Sequence, residues 1–448
     1  MGIIKKLLNK HTLSLASNAV MPVVGMVTVG LLARNLSKPD FGNWIFFLIT
    51  FTLANTFRTG FLQTSLIKFY AGAEKQRALT VAGSAWFVGF GLTVLLGLIS
   101  LGAYIFYHGH PATELTIKWF AIIYFSTLPS SIAMWLLQAE EKFGRVFFLM
   151  LTSQLSFLIG IVILMFLHQT NFNIVIHVYF SCVVFTSLFA VVCGWAQFIS
   201  IKNNTWACMK ELIHFGKFSV GTSISSYLLR SSDTFVIKFM FADPAVVGIY
   251  YLPQRLMEVI EIPLRAFIAT GLPAMSAAAQ RNDKKQVTHI MKKYAGFLTI
   301  TIVPVAVAAF IGADLVVALL GGQKFAGSEA ANVFRIFMCF AILLPVDRFF
   351  GITLDIMNKP HLNMIKVLLM LGVNVVGDIA GVYLFHTLYA VAISSIFTFI
   401  VGVVFGYVAL KKELDFSVKD IFTLGFAELR SMATNLTGKL STKAAKAS

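Results

Sequence analysis

The sequence predicts an all-α polytopic membrane protein with about 12 transmembrane helices, arranged as two six-helix lobes around a central cavity. Composition is the first observation: 58% of the 448 residues are hydrophobic, only 12% are charged, and the mean hydropathy is +0.81. A soluble domain has roughly 25% charged and about 45–50% apolar residues, so this chain is not an ordinary soluble protein. The other two observations are a series of long apolar runs and an internal repeat.

Twelve apolar runs have the length of a membrane span, which is about 20 residues for roughly 30 Å of hydrocarbon. They cover residues 12–33, 43–66, 80–106, 116–138, 146–167, 174–199, 217–240, 248–275, 294–320, 330–356, 363–385 and 388–410. Such unbroken runs predict helices, because the strands of a membrane barrel alternate in hydrophobicity. An even number of spans places both termini on the same side.

The net charge of +16 indicates the orientation of the chain. With the N-terminus in the cytoplasm, most of the 36 Lys and Arg residues, including Lys359 and Lys366, fall in cytoplasmic segments. Cytoplasmic loops of membrane proteins are enriched in these residues, so both termini are predicted to be cytoplasmic. Basic residues diluted in apolar sequence do not indicate a nucleic-acid partner.

The segments between the spans are too short to fold as a catalytic domain, and the chain is predicted not to be an enzyme and to have no catalytic residues. The predicted domains are an N-terminal six-helix lobe at 1–200, a cytoplasmic linker at 201–216, a C-terminal six-helix lobe at 217–410 and a cytoplasmic tail at 411–448. The tail is expected to be amphipathic to about Arg430 and disordered beyond it.

No sequence pattern predicts a cofactor or a metal site. The cysteines at 182, 193, 208 and 339 are scattered, and no nucleotide-binding motif is found. His108 and His110 flank a glycine in an outer loop, but no third ligand lies nearby in the sequence. We therefore expect a plain exposed turn there.

Similar segments recur at a displacement of six spans, which indicates an internal repeat typical of transporters. The pairs are Leu128-Pro129 with Leu344-Pro345, residues 137–142 with 354–359, and residues 39–42 with 244–248.

Charged residues also fall within the predicted spans: Arg58, Arg230, Arg255, Arg265, Arg335, Arg348, Asp233, Glu258, Glu261, Asp347, Asp355 and Asp378. A charge facing lipid at the bilayer centre costs about 2.5–3.5 kcal/mol on the insertion scale, so these residues are expected to face one another or water. Arg335 and Asp355 lie near span ends, from which their side chains reach the interface. The remaining residues predict a water-filled cavity.

The eighth span carries four charges on one face. At 100° per residue, Arg255, Glu258, Glu261 and Arg265 fall within an arc of about 120°. Glu261 and Arg265 have the spacing of a helical ion pair. We interpret this stripe as facing inward.

Two further charged positions are informative. Arg230 and Asp233 are three residues apart in the seventh span and are spaced to pair. Asp347 and Arg348 follow Pro345, whose missing N–H removes a helical hydrogen bond and is expected to admit water.

Arg58 is the only arginine within the first six predicted spans, and no acidic residue falls within those spans. A guanidinium is suited to bidentate binding of phosphate or carboxylate, so an arginine without an acidic partner predicts an anionic ligand. The predicted substrate cavity is lined by Arg58, Arg230, Arg255, Arg265 and Arg348. The acids Asp233, Glu258, Glu261, Asp347 and Asp378 are candidates for ion coupling or for charge pairing between helices.

Several segments resemble the polysaccharide-transporter family, the Wzx-type O-antigen flippases of the multidrug/oligosaccharidyl-lipid/polysaccharide superfamily. They are LLARNLSKPDFG at 31–42, DTFVI at 233–237, VGIYY at 247–251 and LPAMS at 272–276. The resemblance implies translocation of an undecaprenyl-pyrophosphate-linked oligosaccharide from the cytoplasmic to the outer leaflet of the bacterial inner membrane, by alternating access, for biosynthesis of O-antigen, capsule or exopolysaccharide. Implied partners are this lipid-linked substrate, membrane lipids, a polysaccharide polymerase and glycosyltransferases, with the chain acting as a monomer.

Two other functions remain open on the sequence. A cation-coupled multidrug or metabolite exporter of the same superfamily would use the acids, although Arg58 would repel a cationic drug. A non-transporting membrane scaffold for glycan enzymes would gain little from ionisable groups inside its spans.

Overall fold

The computed structural model consists of helices joined by short turns and loops, and it describes residues 10–106 and 111–444, with side chains for 20–106, 114–217 and 219–431. The described residues form no strand, and the predicted all-α class is confirmed. His108 and His110 lie outside the described residues.

The helices follow the predicted spans in order. The first eight are α1 (Lys10–Asn35), α2 (Lys38–Tyr70), α3 (Lys75–Phe106), α4 (Pro111–Ser126), α5 (Leu128–Ala139), α6 (Phe143–Phe166), α7 (Phe172–Val192) and α8 (Trp206–Met240). The next eight are α9 (Ala245–Gln280), α10 (Lys284–Ile311), α11 (Ala313–Gly321), α12 (Glu329–Ala341), α13 (Leu344–Ile356), α14 (Pro360–Phe385), α15 (Leu388–Lys411) and α16 (Val418–Ala444). Short 3-10 helices lie at Phe198–Asn203 and Gln323–Phe325.

Ten of the predicted spans are long and apolar enough to cross a membrane, if each of two bent helix pairs in the described residues counts as one span. The other two correspond to α1 and α8. The described apolar part of α1, Val20–Asn35, is short, and α8 carries serines together with Arg230 and Asp233, which lower its hydropathy.

The two bent spans match the repeat in the sequence. The chain bends by 42° between α4 and α5 and by 48° between α12 and α13. Pro129 and Pro345 lie in the first turn after each bend, where a missing N–H is tolerated. Each span then ends alike: Glu141 and Asn358 have positive φ angles of 54° and 58°, and the next residue, a lysine, donates its N–H to a leucine carbonyl at 2.9 Å. The similarity between the two halves therefore extends to the backbone.

The second repeated segment has a packing role. Ser37 caps α2 by accepting from the Asp40 N–H, and Gly42 lies so close to the Pro244 carbonyl that a Cβ would be 1.8 Å from its oxygen. Gly248, at the start of α9, would place a Cβ 2.7 Å from the Phe41 ring. The glycines permit the beginnings of α2 and α9 to pack directly on one another.

The chain divides into two compact units: Met1–Tyr251 with Leu320–Lys324, and Leu252–Leu319 with Phe325–Ser448. The boundary falls within α9, and α8 packs with α2 in the first unit. Gly216 of α8 is close enough to α2 that a Cβ would lie 2.3 Å from the Phe61 carbonyl oxygen. The predicted division at 201–216 remains a prediction.

The segment 196–205, which leads into the predicted linker, packs tightly on α3 within the first unit. A Cβ on Gly83 would lie 2.1 Å from the Ser200 carbonyl oxygen, and Trp86 donates its indole N–H to the Ala196 carbonyl at 2.8 Å. Thr205 then caps α8 by accepting from the Cys208 N–H.

In the second unit, α16 crosses α10 at two glycines. A Cβ on Gly296 would lie 1.9 Å from the Ile421 carbonyl oxygen, and one on Gly425 would lie 2.3 Å from the Gly296 carbonyl carbon. Lys293 and Glu428 form an ion pair at 2.7 Å beside this crossing. Beyond about Arg430, where the sequence predicts disorder, α16 continues as a helix to Ala444.

Candidate functional site

Arg58 of α2 belongs to the first unit and is completely buried. Nη1 donates to Thr93 Oγ1 at 3.2 Å and the Tyr124 carbonyl at 3.1 Å, and Nη2 donates to Asn55 Oδ1 at 3.0 Å, Thr127 Oγ1 at 2.7 Å and Ser131 Oγ at 3.1 Å. Its guanidinium carbon also lies 4.3 Å from the centre of the Tyr124 ring. The cation is thus surrounded by neutral dipoles and an aromatic face.

These contacts place Arg58 at the bend between α4 and α5. Tyr124 is in the last turn of α4, where carbonyl groups lack helical donors, and its carbonyl accepts from both Arg58 and the Thr127 hydroxyl. Of the three guanidinium nitrogens of Arg58, only Nε has no hydrogen-bond partner among the described residues. In this conformation Arg58 stabilises the bent span and offers no free pair of donors to an anion.

Beside Arg58 lies a pocket of about 190 Å³ within the first unit. It is lined by Asn55, Thr59, Ser130, Ser131, Met134, Trp135, Leu149, Ser153 and Thr186. Two of these residues, Asn55 and Ser131, accept hydrogen bonds from Arg58. Arg58 therefore fixes part of the pocket wall without lining it.

The other predicted residues of the first unit differ in accessibility. Arg230 is exposed, whereas Asp233 is buried and accepts a hydrogen bond of 2.6 Å from the Tyr250 hydroxyl. Asp233 thus joins α8 to the beginning of α9.

Within the second unit, α9 carries two ion pairs on its own surface. Arg255 pairs with Glu258 at 2.5 Å, and Glu261 pairs with Arg265 at 2.8 Å, as the spacing of the latter two predicted. The Arg265 side chain remains 49% exposed, against 16% for Arg255. Arg265 is therefore the more accessible cation of α9.

A buried ion pair at the second bend involves a residue that the sequence placed elsewhere. Lys366 of α14 donates to the Asp347 carboxylate at 2.7 Å and to the Asp347 carbonyl at 3.0 Å, and both side chains are buried. The sequence counts Lys366 among the basic residues of a cytoplasmic segment, whereas α14 begins at Pro360 and carries this lysine into the packed interior of the unit. Gly402 leaves room for the pair, since a Cβ there would lie 2.7 Å from Asp347 Oδ1.

Arg348 and Asp378 contrast with this pair. Arg348 is exposed, and it has no hydrogen-bond or ion-pair partner within the described part of the chain. Asp378 of α14 is completely buried, one turn from Asn374, whose carbonyl accepts from the Ser394 hydroxyl at 3.2 Å. The five predicted arginines are thus divided, with Arg58 and Arg230 in the first unit and the other three in the second.

Sequence reasoning missed the partners of the buried cations and the pocket in the first unit. The available signal was a set of hydroxyl and amide residues inside apolar spans, such as Asn55, Thr93 and the Ser130-Ser131 pair after Pro129. For Lys366 the signal was its position six residues into a helix that begins at a proline.

Several known proteins are similar to this chain. Residues 31–330 match the family described as polysaccharide biosynthesis protein. The lipid II flippase MurJ in an inward closed conformation has 14% identity and a TM-score of 0.71, over 94% of this chain and 92% of that one. An inward-facing multidrug resistance MATE family transporter has 16% identity and a TM-score of 0.65, over 91% and 97%.

A third solved structure is a transporter of the MOP superfamily from Pyrococcus furiosus, which is described as having a binding pocket of reverse polarity. It has 15% identity and a TM-score of 0.57, over 90% of this chain and 96% of that one. No curated protein sequence matches significantly. The structural matches show the fold, and the match over residues 31–330 shows that the chain belongs to the polysaccharide biosynthesis protein family.

Proposed function

We propose that this protein is a flippase that moves an undecaprenyl-pyrophosphate-linked oligosaccharide from the cytoplasmic to the outer leaflet of a bacterial inner membrane, by alternating access, for surface polysaccharide biosynthesis. Its family supports a role in polysaccharide biosynthesis, and its fold resembles that of a lipid II flippase. Both termini lie in the cytoplasm in this proposal, and no catalytic residue or cofactor takes part.

Arg348 is the observation that carries the proposal. It lies on the bent span formed by α12 and α13, is exposed, and has no ion-pair or hydrogen-bond partner in the described chain. An exposed arginine within an apolar span has to meet water or an anion, and a pyrophosphate offers the planar pairs of oxygens that guanidinium binds. Arg265 and Arg230 are the other accessible candidates, and Arg255 is held by Glu258.

The test is Arg348→Ala in a strain whose surface polysaccharide depends on this protein. We expect surface polysaccharide to fall about tenfold to a hundredfold, because a lost hydrogen bond to a charged group costs about 1.5–3 kcal/mol. Arg348→Lys should restore part of the export. The measurement is surface glycan by gel and lectin binding, with protein abundance in the membrane fraction.

Arg335→Ala is the matched control, because Arg335 lies on the same bent span but is paired with Asp314. Its export should stay close to that of the unchanged protein. Equal export by the Arg348→Ala and unchanged proteins would contradict the assignment of Arg348 to the pyrophosphate.

Arg265 is tested against its own partner. If Arg265 binds the substrate, Arg265→Ala reduces export whereas Glu261→Gln does not; if the pair only stabilises α9, the two variants behave alike. This comparison separates substrate binding from the 2.8 Å ion pair.

Buried Asp378 favours a second candidate function, a cation-coupled exporter of drugs or metabolites, as does the fold likeness to a MATE family transporter. A buried carboxylate inside a transmembrane helix is a common element of ion coupling. Drug resistance on overexpression, with surface glycan unchanged after deletion, would favour this function. Loss of glycan on deletion, without a change in drug resistance, would favour the flippase.

A further inference from the structure

None of the accessible arginines of the proposed function lines the pocket beside Arg58. It is contained in the first unit, between α2, α5, α6 and α7, and it has a volume of about 190 Å³. Ser153, one of its lining residues, is exposed, so the pocket is open at the surface of the unit.

The charges around the pocket exclude one class of ligand. No acidic or basic side chain lines it, and Arg58 lies directly behind its wall, with hydrogen bonds of 3.0 Å to Asn55 and 3.1 Å to Ser131. No described carboxylate forms an ion pair with Arg58. Because an arginine side chain keeps its positive charge, a cationic ligand would be repelled.

The pocket offers both hydrogen-bond donors and hydrogen-bond acceptors. Arg58 donates to Asn55 Oδ1, which turns the Asn55 amide NH2 away from the guanidinium as an available donor. Thr59 and Ser153 have hydroxyls that make no side-chain hydrogen bond in the described chain.

The other hydroxyls present acceptors. Those of Ser130 and Ser131 donate to the Thr127 carbonyl, and that of Thr186 donates to the Cys182 carbonyl. The lone pairs of the Ser130 and Thr186 oxygens remain available, and the Ser131 oxygen keeps one beside the hydrogen bond that it accepts from Arg58. An anion uses donors only, whereas each hydroxyl of a sugar both donates and accepts. The mixed set of groups therefore favours a hydroxylated, uncharged ligand over an anion.

The size and the apolar wall fit one sugar ring. A cavity of about 150 Å³ holds benzene, and this pocket is larger. Met134, Trp135 and Leu149 supply an apolar side against which the C–H groups of a pyranose can pack.

We propose that this pocket is a subsite for one neutral sugar residue of the transported oligosaccharide, and that Arg58 is a positioning residue that fixes Asn55 and Ser131 in its wall. The proposal rests on the flippase function and adds to it a sugar-binding site within the first unit. It places recognition of the glycan on neutral groups and leaves the pyrophosphate to the accessible arginines.

The test uses cysteine labelling at the mouth of the pocket. Ser153→Cys is introduced after the four native cysteines are replaced, and its reaction with a maleimide is followed in membrane vesicles. The probes are the lipid-linked oligosaccharide extracted from the producing strain and undecaprenyl pyrophosphate without sugar. Leu155→Cys is the control for labelling and transport, because Leu155 is exposed on the same helix but does not line the pocket.

We expect the lipid-linked oligosaccharide to slow labelling of Ser153→Cys at least fivefold, undecaprenyl pyrophosphate to leave it unchanged, and neither probe to affect Leu155→Cys. Equal protection by undecaprenyl pyrophosphate would overturn the sugar subsite and indicate a phosphate or lipid occupant. If the Leu155→Cys vesicles flip the oligosaccharide but Ser153→Cys is never protected, the subsite is wrong while the flippase function stands. Vesicles that flip nothing would overturn both.

Thr59→Val, combined with Ser153→Cys, supplies a second measurement without a change in side-chain size. It removes one hydroxyl from the pocket, and the concentration of lipid-linked oligosaccharide that gives half-protection should rise about fivefold, the effect of one hydrogen bond. Thr152→Val is its control, because the Thr152 hydroxyl donates to the Phe148 carbonyl and does not line the pocket. An equal effect of both substitutions would contradict the proposal.

Discussion

The two bent spans have similar backbones, but a buried cation is accommodated differently at each. At the α4–α5 bend, Arg58 of α2 meets five neutral oxygen acceptors, including Ser131. At the α12–α13 bend, Lys366 of α14 meets the carboxylate of Asp347. Ser131 and Asp347 occupy matching positions, each two residues after the proline of its bend.

The difference follows from the chemistry of the two cations. A guanidinium spreads its charge over five N–H donors, so several neutral dipoles can together replace water around it. An ammonium is a compact charge that is strongly hydrated, and a buried one needs an opposite charge close by. Both halves of the repeat thus contain the bent span, but the buried cation beside the bend is stabilised by different groups in each half.

Lys366→Met should have the largest effect on stability. It leaves the Asp347 carboxylate buried without its partner, and breaking a buried ion pair costs about 3–5 kcal/mol. The double variant Lys366→Met with Asp347→Leu should recover much of this loss, because it leaves no buried charge. Thermal unfolding of the purified protein in detergent gives both values, and equal destabilisation of single and double variants would show that charge is not the reason.

Arg58→Met should destabilise the protein less, by about 1–3 kcal/mol. The acceptors that it leaves are neutral, and the hydroxyls of Thr93, Thr127 and Ser131 keep the hydrogen bonds that they donate to backbone carbonyls. The same unfolding measurement ranks it against Lys366→Met. A loss as large as that of the broken ion pair would mean that the neutral site depends on its cation as strongly as the charged one does.

A smaller effect is expected just after the second bent span, where Glu413, which follows α15, pairs with Lys284 at 3.1 Å and also with Lys359. Hydrogen bonds from Lys359 and Lys284 hold the pKa of the Glu413 carboxyl below its ordinary value. Because the folded-state pKa is lowered, the stabilisation is present above the ordinary carboxyl pKa and is lost as the pH falls through the lowered one.

Glu413→Gln should therefore lower the melting temperature slightly at neutral pH, and the two melting temperatures should converge in acid. The measurement is the melting temperature of both proteins from neutral pH down to acid. A difference in melting temperature that persists at low pH would mean that Glu413 acts through packing and not through its charge. The buried Lys366–Asp347 pair would then be the more important charge interaction near this bend.

The class of the protein could be predicted from the sequence because it depends on averages and on local periodicity. Apolar length sets the number of spans, and the recurrence of Leu128-Pro129 as Leu344-Pro345 marks both bends. The i,i+4 pair of Glu261 and Arg265 was likewise predictable, because one helical turn brings the two residues together. Orientation by the positive charges remains a prediction of the same kind.

Only the tertiary structure decided the environment of each charge. In the sequence Arg58 has no acidic residue nearby to pair with. In the structure its hydrogen-bond acceptors are neutral groups that lie 3 to 73 positions away along the chain. Lys366 appeared to be a loop residue because its partner Asp347 lies on another helix, 19 positions away. Hydropathy and periodicity report which residues must avoid lipid, but the distances between atoms on different helices are set by packing, and those distances determine which charges are neutralised and which remain available to a substrate.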